Sequence, residues 1–237
     1  MRTNTTEARF WYRSKILADR KVRAFLDGHP GMFVAMVLPG WMFGPGDVGP
    51  TSAGQVVMDF ARRKLPGRVP GSFSVVDARD VARRQIAALE RGRSGERYLA
   101  AGRHMTMDDL FPLLAEASGV AAPTRRIPLT MLRALAARYE LHAGVTGRPV
   151  PVSRASVRLL AQEAGRSHYD HAKSERELGC TFRPAAETLA DTAAWYRANG
   201  TLPGRLVPVA SHLRHPAPAL AAGTGPAPLR LSEELDR

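Results

Sequence analysis

The chain has 237 residues, 44% of them hydrophobic, with 34 basic against 22 acidic side chains and a net charge of +12. That is enough apolar material for a core in one or two units, and no run of about 18 apolar residues marks a membrane span. Residues 1–7 lack the apolar segment of a secretory signal, so a cytoplasmic protein is expected, with no membrane partner. The single Cys180 excludes an intramolecular disulfide and a cysteine metal cluster. The positive charge would suit nucleic acid, but only Lys15, Lys21, Lys64 and Lys173 are lysines and the arginines are scattered over every segment. A nucleic-acid site gathers its charge on one face, so no specific nucleic-acid partner is expected. A dinucleotide phosphate or an acidic small-molecule substrate is the more economical anion.

Helix is expected over residues 9–27, where Ile16, Leu17, Val22, Phe25 and Leu26 share a face, with Gly28 and Pro30 as its stop. Residues 32–38 form a continuous apolar run, as in a strand buried on both faces. A helix followed by such a strand predicts a parallel crossover unit. Pro50, Thr51 and Ser52 open a helix to Lys64 with Val56, Val57 and Phe60 inward. Ser74–Asp77 reads as a strand, Val81–Leu89 as a helix and Arg97–Ala100 as another strand. From Thr106 the pattern is helical. The first helix starts with Asp108 and Asp109 in its opening turn and ends at Gly119. A long helix follows from Pro128 to His142, then shorter ones over 153–165 and 171–178, and a last over 185–199 stopped by Gly200. Residues 203–237 are Pro- and Ala-rich and are expected to be disordered.

The run Trp11-Tyr12-Arg13-Ser14-Lys15 carries the chemistry. Residues i and i+4 lie on one helix face about a turn apart. A Tyr and a Lys so placed reach the same substrate oxygen, and the ammonium favours phenolate over phenol, making the Tyr a usable general acid. Here the position four before Lys15 is Trp11, whose indole donates a hydrogen bond but is no practical proton source. Tyr12, three before Lys15, is rotated roughly 100° from that direction.

Further landmarks follow in order: residues 38–47 (LPGWMFGPGD), 74–82 (SVVDARDVA), 95–99 (GERYL) and 173–179 (KSERELG). With the Tyr12–Lys15 segment they resemble the second half of an extended short-chain dehydrogenase/reductase, of the dihydroflavonol-reductase and sugar-epimerase type. The resemblance implies an α/β fold: the C-terminal portion of a Rossmann-type doubly wound sheet over 1–105, then a mainly helical substrate-binding region over 106–202. It implies NAD or NADP as cofactor, with Lys15 and the backbone of Pro39, Gly40, Trp41 and Met42 beside the nicotinamide. Catalytic roles would fall to Lys15 and, with Trp11 in the expected Tyr position, to Tyr12.

Gly44-Pro45-Gly46-Asp47-Val48-Gly49 matches a dinucleotide fingerprint literally. Pro45 and Pro50 remove amide donors that a pyrophosphate cradle needs, so the turn is read as a substrate border or a rigid connector. The resemblance puts Asp77, Arg79 and Asp80 at a strand-to-helix junction over the substrate cleft; the favoured reading is structural, with Asp80 as a helix cap and Arg79 as its partner. His168, Asp170 and His171 lack a third committed ligand, so no metal is expected, and Asp170 is read as a helix cap. His29, His104, His142, His212 and His215 are read as solvated or loop residues. The family's glycine loop, first strands and catalytic Ser or Thr precede its Tyr helix, and residues 1–10 hold none of them. A sheet without those strands exposes an apolar edge, which predicts self-association. Two readings stay open: a carbonyl or alcohol oxidoreductase on a small organic or sugar-like substrate, and an inactive remnant or interaction protein of the same ancestry.

Overall fold

The apolar stretch from Met36 to Phe43 is divided at Gly40 between two small sheets. The structure, a computed structural model, describes residues 4–146, 154, 157, 158, 161, 165 and 167–202, with side chains from residue 13 onward except 144–146. Its elements are α1 (Asn4–Gly28), β1 (Met36–Pro39), β2 (Trp41–Phe43), α2 (Ser52–Ala61), β3 (Ser72–Asp77) and α3 (Ala78–Arg91). They continue with β4 (Arg97–Ala100), β5 (Arg103–Thr106), α4 (Met107–Ser118), α5 (Leu129–Thr146), α6 (Ala172–Leu178) and α7 (Ala185–Ala198). The expected helix over 153–165 lies largely outside the described residues, and the expected disordered tail wholly so.

β1 pairs in parallel with β4, Met36 opposite Arg97 and Pro39 opposite Ala100. β2 pairs in parallel with β3, Trp41 opposite Val75 and Phe43 opposite Asp77. β3 pairs antiparallel with β5, Ser72 opposite Thr106. At the crossing, a Cβ on Gly40 would overlap the carbonyl oxygens of Ala101 and Ser74, so only glycine lets the three backbones meet. The result is a mixed α/β fold with parallel pairs at its centre.

Local chemistry sets the helix ends. Thr106 and Asp109 form a reciprocal capping box at the start of α4, and Gly119 closes it in the left-handed conformation at φ 71°. Thr51 caps α2 by accepting the Gly54 amide at 3.3 Å. The main core lies where α2, α4 and α7 cover the β2–β3–β5 sheet: Phe43, Val57, Phe60, Val75, Phe111 and Leu189 are buried there. A second cluster joins Ala87 and Ala88 of α3 to Tyr98 of β4 and Leu178 of α6. The Tyr98 hydroxyl donates to Glu177 at 3.0 Å and accepts the Arg93 amide at 2.9 Å, so this ring is buried with its polar end satisfied. α1 is tied to the sheet by Asp19, which accepts from Arg97 Nε at 2.8 Å.

Several expectations need correction. The strand expected at 32–38 is shorter and later, at Met36–Pro39, and is not buried on both faces: Met32, Phe33 and Leu38 are exposed. Among the described residues β1 has a strand neighbour on one edge only. The apolar face expected on α1 is likewise half open, with Ile16, Leu17 and Phe25 exposed. β2 and β5 were not foreseen as strands. Three or four residues are too few for a period-two pattern, and both are fixed by pairing to β3.

α2 and α7 meet at Gly54, where a Cβ would overlap Asp47 Oδ2 and the Tyr196 hydroxyl. Gly54→Ala gains helix propensity of about 1 kcal/mol but forces apart the 2.6 Å Tyr196–Asp47 hydrogen bond. Urea denaturation should show a net loss of about 1–3 kcal/mol, shrinking in a Tyr196→Phe background where the hydroxyl is already gone. An unchanged midpoint in both backgrounds would refute this close approach.

Candidate active site

The strands of the two parallel pairs end at Pro39, Phe43, Asp77 and Ala100, and ligands of α/β sheets collect beyond such ends. Pro39 ends β1, Gly40 is the crossing, and Trp41 and Met42 open β2. Trp41 is committed to packing: its indole stands 4.6 Å from the Phe73 ring and donates to Ser52 Oγ at 3.1 Å. Met42 is exposed.

The turn after β2 is built around an acid. Asp47 accepts the Thr51 amide at 3.0 Å, the Thr51 hydroxyl at 3.0 Å and the Tyr196 hydroxyl at 2.6 Å. Of the amides that open α2, those of Thr51 and Gly54 are thus taken by Asp47 and Thr51, where a phosphate would need them. Burial, with the Asp47 carboxylate beside it, pushes the Tyr196 phenol above its ordinary value. The partnership joins residues 149 apart, and nothing local in the sequence announces it.

Beside this turn, Gly44 packs on the β3–α3 junction, where a Cβ would lie 3.4 Å from Asp77 Oδ1. Asp77, not Asp80, caps α3: its carboxylate accepts the Arg79 amide at 2.8 Å and the Arg79 guanidinium at 2.9 and 2.7 Å. Arg79 reaches on to Asp191 of α7 at 2.7 Å. Asp80, 1% exposed, accepts the Arg183 amide at 2.7 Å and pairs with Arg83 at 3.2 Å. The sequence placed the cap on Asp80 because position within the strand-to-helix turn is ambiguous by a few residues.

Arg84 was missed altogether. It is fully buried, lies 3.5 Å above the Phe182 ring and donates to the Cys180 carbonyl at 2.8 Å. Its spacing from Val81 and Ala88, on the inward face of α3, was the available signal.

Lys15 is exposed on α1, one turn before Asp19 on the same face. Tyr12 and Trp11 lie in α1, and their side chains fall outside the described ones. The histidines disperse. His104, expected to be solvated, is half-buried on β5 with its Nδ1 3.1 Å from Ser167 Oγ, and its ring lies 5.3 Å from that of His168. His171, which packs on Phe182 at 4.8 Å, and not Asp170 is the N-cap of α6; Asp170, one residue earlier, accepts the Ala172 amide at 2.9 Å. Among the described residues no group of three His, Cys, Asp or Glu side chains could hold a metal ion.

Burial alone would raise the Asp77 carboxyl, but the Arg79 hydrogen bonds outweigh it and hold the group below its ordinary value. A lowered folded value gives stability that is full above the unfolded value of about 3.9 and is lost as pH falls through the folded one. Asp77→Asn should therefore flatten the acid limb of the stability curve below about pH 4, measured as urea midpoints across the acid range. An acid limb as steep as the parent's would remove Asp77 from that role.

No family model matches the chain. Sterol demethylase protein B of Methylococcus capsulatus is 32% identical over 192 residues, covering 80% of this chain and 57% of the relative. A putative dihydroflavonol 4-reductase from a Synechocystis strain is 29% identical over 192 residues, covering 79% and 54%. Among solved structures, a nucleoside-diphosphate-sugar epimerase from Pseudomonas aeruginosa superposes with a TM-score of 0.61 at 32% identity, covering 80% of this chain and 55% of that one. The chain thus spans little more than half the length of the relatives it matches. Across those four-fifths of its residues, with a partial Rossmann-type fold and the landmarks in the family's order, the chain belongs to the short-chain dehydrogenase/reductase family of the extended, NAD-dependent epimerase/dehydratase type.

Proposed function

We propose that the chain supplies the active-site helix and substrate-facing half of an NAD(P)-dependent oxidoreductase acting on a carbonyl or alcohol of a small organic or sugar-like molecule. The observation that carries this reading is the kinship itself: 32% identity to an enzyme-named relative, with the Lys15 helix ahead of the parallel strands as the family has it. A nicotinamide dinucleotide, when bound, would supply or accept the hydride. Lys15 would hold its ribose and lower the pKa of an aromatic hydroxyl on α1, and the backbone of Pro39, Gly40, Trp41 and Met42 would border the nicotinamide. Residues 106–202 would shape the substrate side.

The fit extends to one end of the dinucleotide only. Beside the Gly44–Gly49 turn the Thr51 and Gly54 amides are engaged by Asp47 and Thr51, which argues against a pyrophosphate cradle at this helix start. A second reading, an inactive remnant or interaction protein, is favoured by one feature: Trp11 stands where the family's proton donor should be.

Two measurements test these assignments. The 237-residue chain alone should bind NADH or NADPH more weakly than about 10 μM, or roughly −7 kcal/mol, by titration calorimetry. Tighter binding would mean that a phosphate site exists in this chain.

The second test supplies the nucleotide-binding half of a relative. Trp11→Tyr should then raise carbonyl reduction by about 10²–10⁴ while Tyr12→Phe changes little, followed by nicotinamide absorbance over a carbonyl panel. Loss of activity in Tyr12→Phe with no gain from Trp11→Tyr would make Tyr12 the working acid.

A further inference from the structure

On one face of the β3–β5 pair a line of hydroxyl groups ends on an imidazole. Ser72 and Ser74 share that face of β3 by strand alternation, and both are buried. His104 of β5 stands directly opposite Ser74. Gly165, Ser167 and His168 fold onto the same face from the far end of the chain. The Gly165 amide donates to Ser72 Oγ at 2.9 Å, and Ser167 Oγ lies 2.8 Å from Ser72 Oγ and 3.1 Å from His104 Nδ1. The Ser74 hydroxyl donates to the Ser167 carbonyl. Ser167 is itself buried, and the His168 ring lies 5.3 Å from that of His104. None of these groups has a part in the function proposed above.

The protons along this line balance in one state of His104 only. A hydroxyl has one proton and can turn it either way. With Nδ1 unprotonated, Ser72 donates to Ser167 and Ser167 to Nδ1, so every proton has an acceptor. An imidazolium carries a proton on both ring nitrogens. Nδ1–H must then donate to Ser167, and Ser167 to Ser72. The Ser72 proton is left in a buried site with no acceptor among the described residues, and a buried donor without a partner is costly.

We infer that Ser72, Ser167 and His104 form a pH-sensitive latch, closed while His104 is neutral and loosened when it is protonated, that fastens Gly165 and Ser167 to the β3–β5 face. The closed latch binds one proton fewer than the open one, so acidification favours opening, within the pH 5–8 range in which imidazoles titrate. The charged groups around His104 come from two elements. His168 adds repulsion once both rings are charged. Asp109 of α4 supplies a negative charge nearby: hydrogen bonds from Thr106 hold its carboxyl below the ordinary value, with His104 adding to the effect. Asp108 in the same turn is paired with Arg68 and Arg126. Arg103 precedes His104 on β5 and turns to the other face, and β3 presents only the Ser72 and Ser74 hydroxyls beside the ring.

Opening is local. The Ser74 hydrogen bond to the Ser167 carbonyl does not involve His104 and remains as a hinge. Residues 167–170 lead directly into α6, where Lys173 pairs with Glu96 and Glu177 with Arg93. The latch therefore makes the approach to α6 respond to pH, and it does not depend on the catalytic reading.

Hydrogen exchange of the full chain, followed by mass spectrometry and corrected for the intrinsic pH dependence of exchange, reads the latch at residues 165–169. Protection there should fall by about tenfold or more between pH 8 and pH 5, while α4 and α7 keep theirs. His104→Asn places a carbonyl oxygen that cannot titrate where Nδ1 stands, and should hold the protection constant over that range. Ser167→Ala removes the middle of the line and should leave the segment poorly protected at both ends of the range. His168→Asn should keep the response.

Unchanged protection in the parent between pH 8 and pH 5 would overturn the latch, as would a fall that persists in His104→Asn. A fall abolished by His168→Asn alone would move the titrating group to His168 and overturn the assignment. Loss of protection in α4 and α7 together with residues 165–169 would mean global acid unfolding in place of a local opening, and would count equally against it. Should Ser167→Ala not fold, His104→Asn and His168→Asn decide between these outcomes.

Discussion

Three backbones meet at Gly40 with no room for a side chain, and the rest of the architecture follows from that contact. The carbonyls of Ala101 and Ser74 approach the glycine from the neighbouring chain segments, so the stretch from Met36 to Phe43 can pair with β4 before the crossing and with β3 after it. One strand-length segment thereby serves two sheets. The β2–β3–β5 sheet takes α2, α4 and α7 and becomes the main core. Among the described residues the β1–β4 pair packs against α3 and α6 and is tethered to α1 through Asp19 and Arg97.

Charge holds the two parts in register. Asp77 and Asp80 at the head of α3 are buried, and buried carboxylates persist only when paired and hydrogen-bonded. Their partners come from far along the chain: Arg79 bridges Asp77 to Asp191, and Arg183 approaches Asp80 at 3.4 Å. The end of β3, the start of α3 and the start of α7 are therefore locked together. Arg84 adds a guanidinium under the Phe182 ring, with burial lowering its pKa and carbonyl acceptors offsetting part of that cost. Arg79, Arg84 and Arg183 thus serve as struts between distant segments of the fold.

This wiring also explains why kinship and competence are separate matters here. The carboxylates of Asp77 and Asp47 are engaged by the chain's own groups, Arg79 at the first and Thr51 and Tyr196 at the second. The groups proposed for catalysis sit on α1, which is tied to β4 through Asp19 and Arg97 and leaves Ile16, Leu17 and Phe25 exposed. A catalytic helix needs fixed neighbours to place its side chains to within a fraction of an ångström, and in this chain the neighbours on the β1 side are absent from the described residues.

The sequence by itself determined the elements whose signals are local. The Thr106 and Asp109 start of α4 and its Gly119 stop both follow from hydrogen bonds between residues a few positions apart. The ordered landmarks from Lys15 to Gly179 likewise gave the family and the α/β class before any coordinates. Only the tertiary structure decided that Asp77 rather than Asp80 caps α3, that Asp47 turns inward to Tyr196, that His104 is half-buried, and that residues 41–43 and 103–106 are strands. Each of those outcomes depends on a partner from elsewhere in the fold, up to 149 residues away for Asp47. Burial and pairing energies act through space, and a one-dimensional pattern records only the groups that are close along the chain.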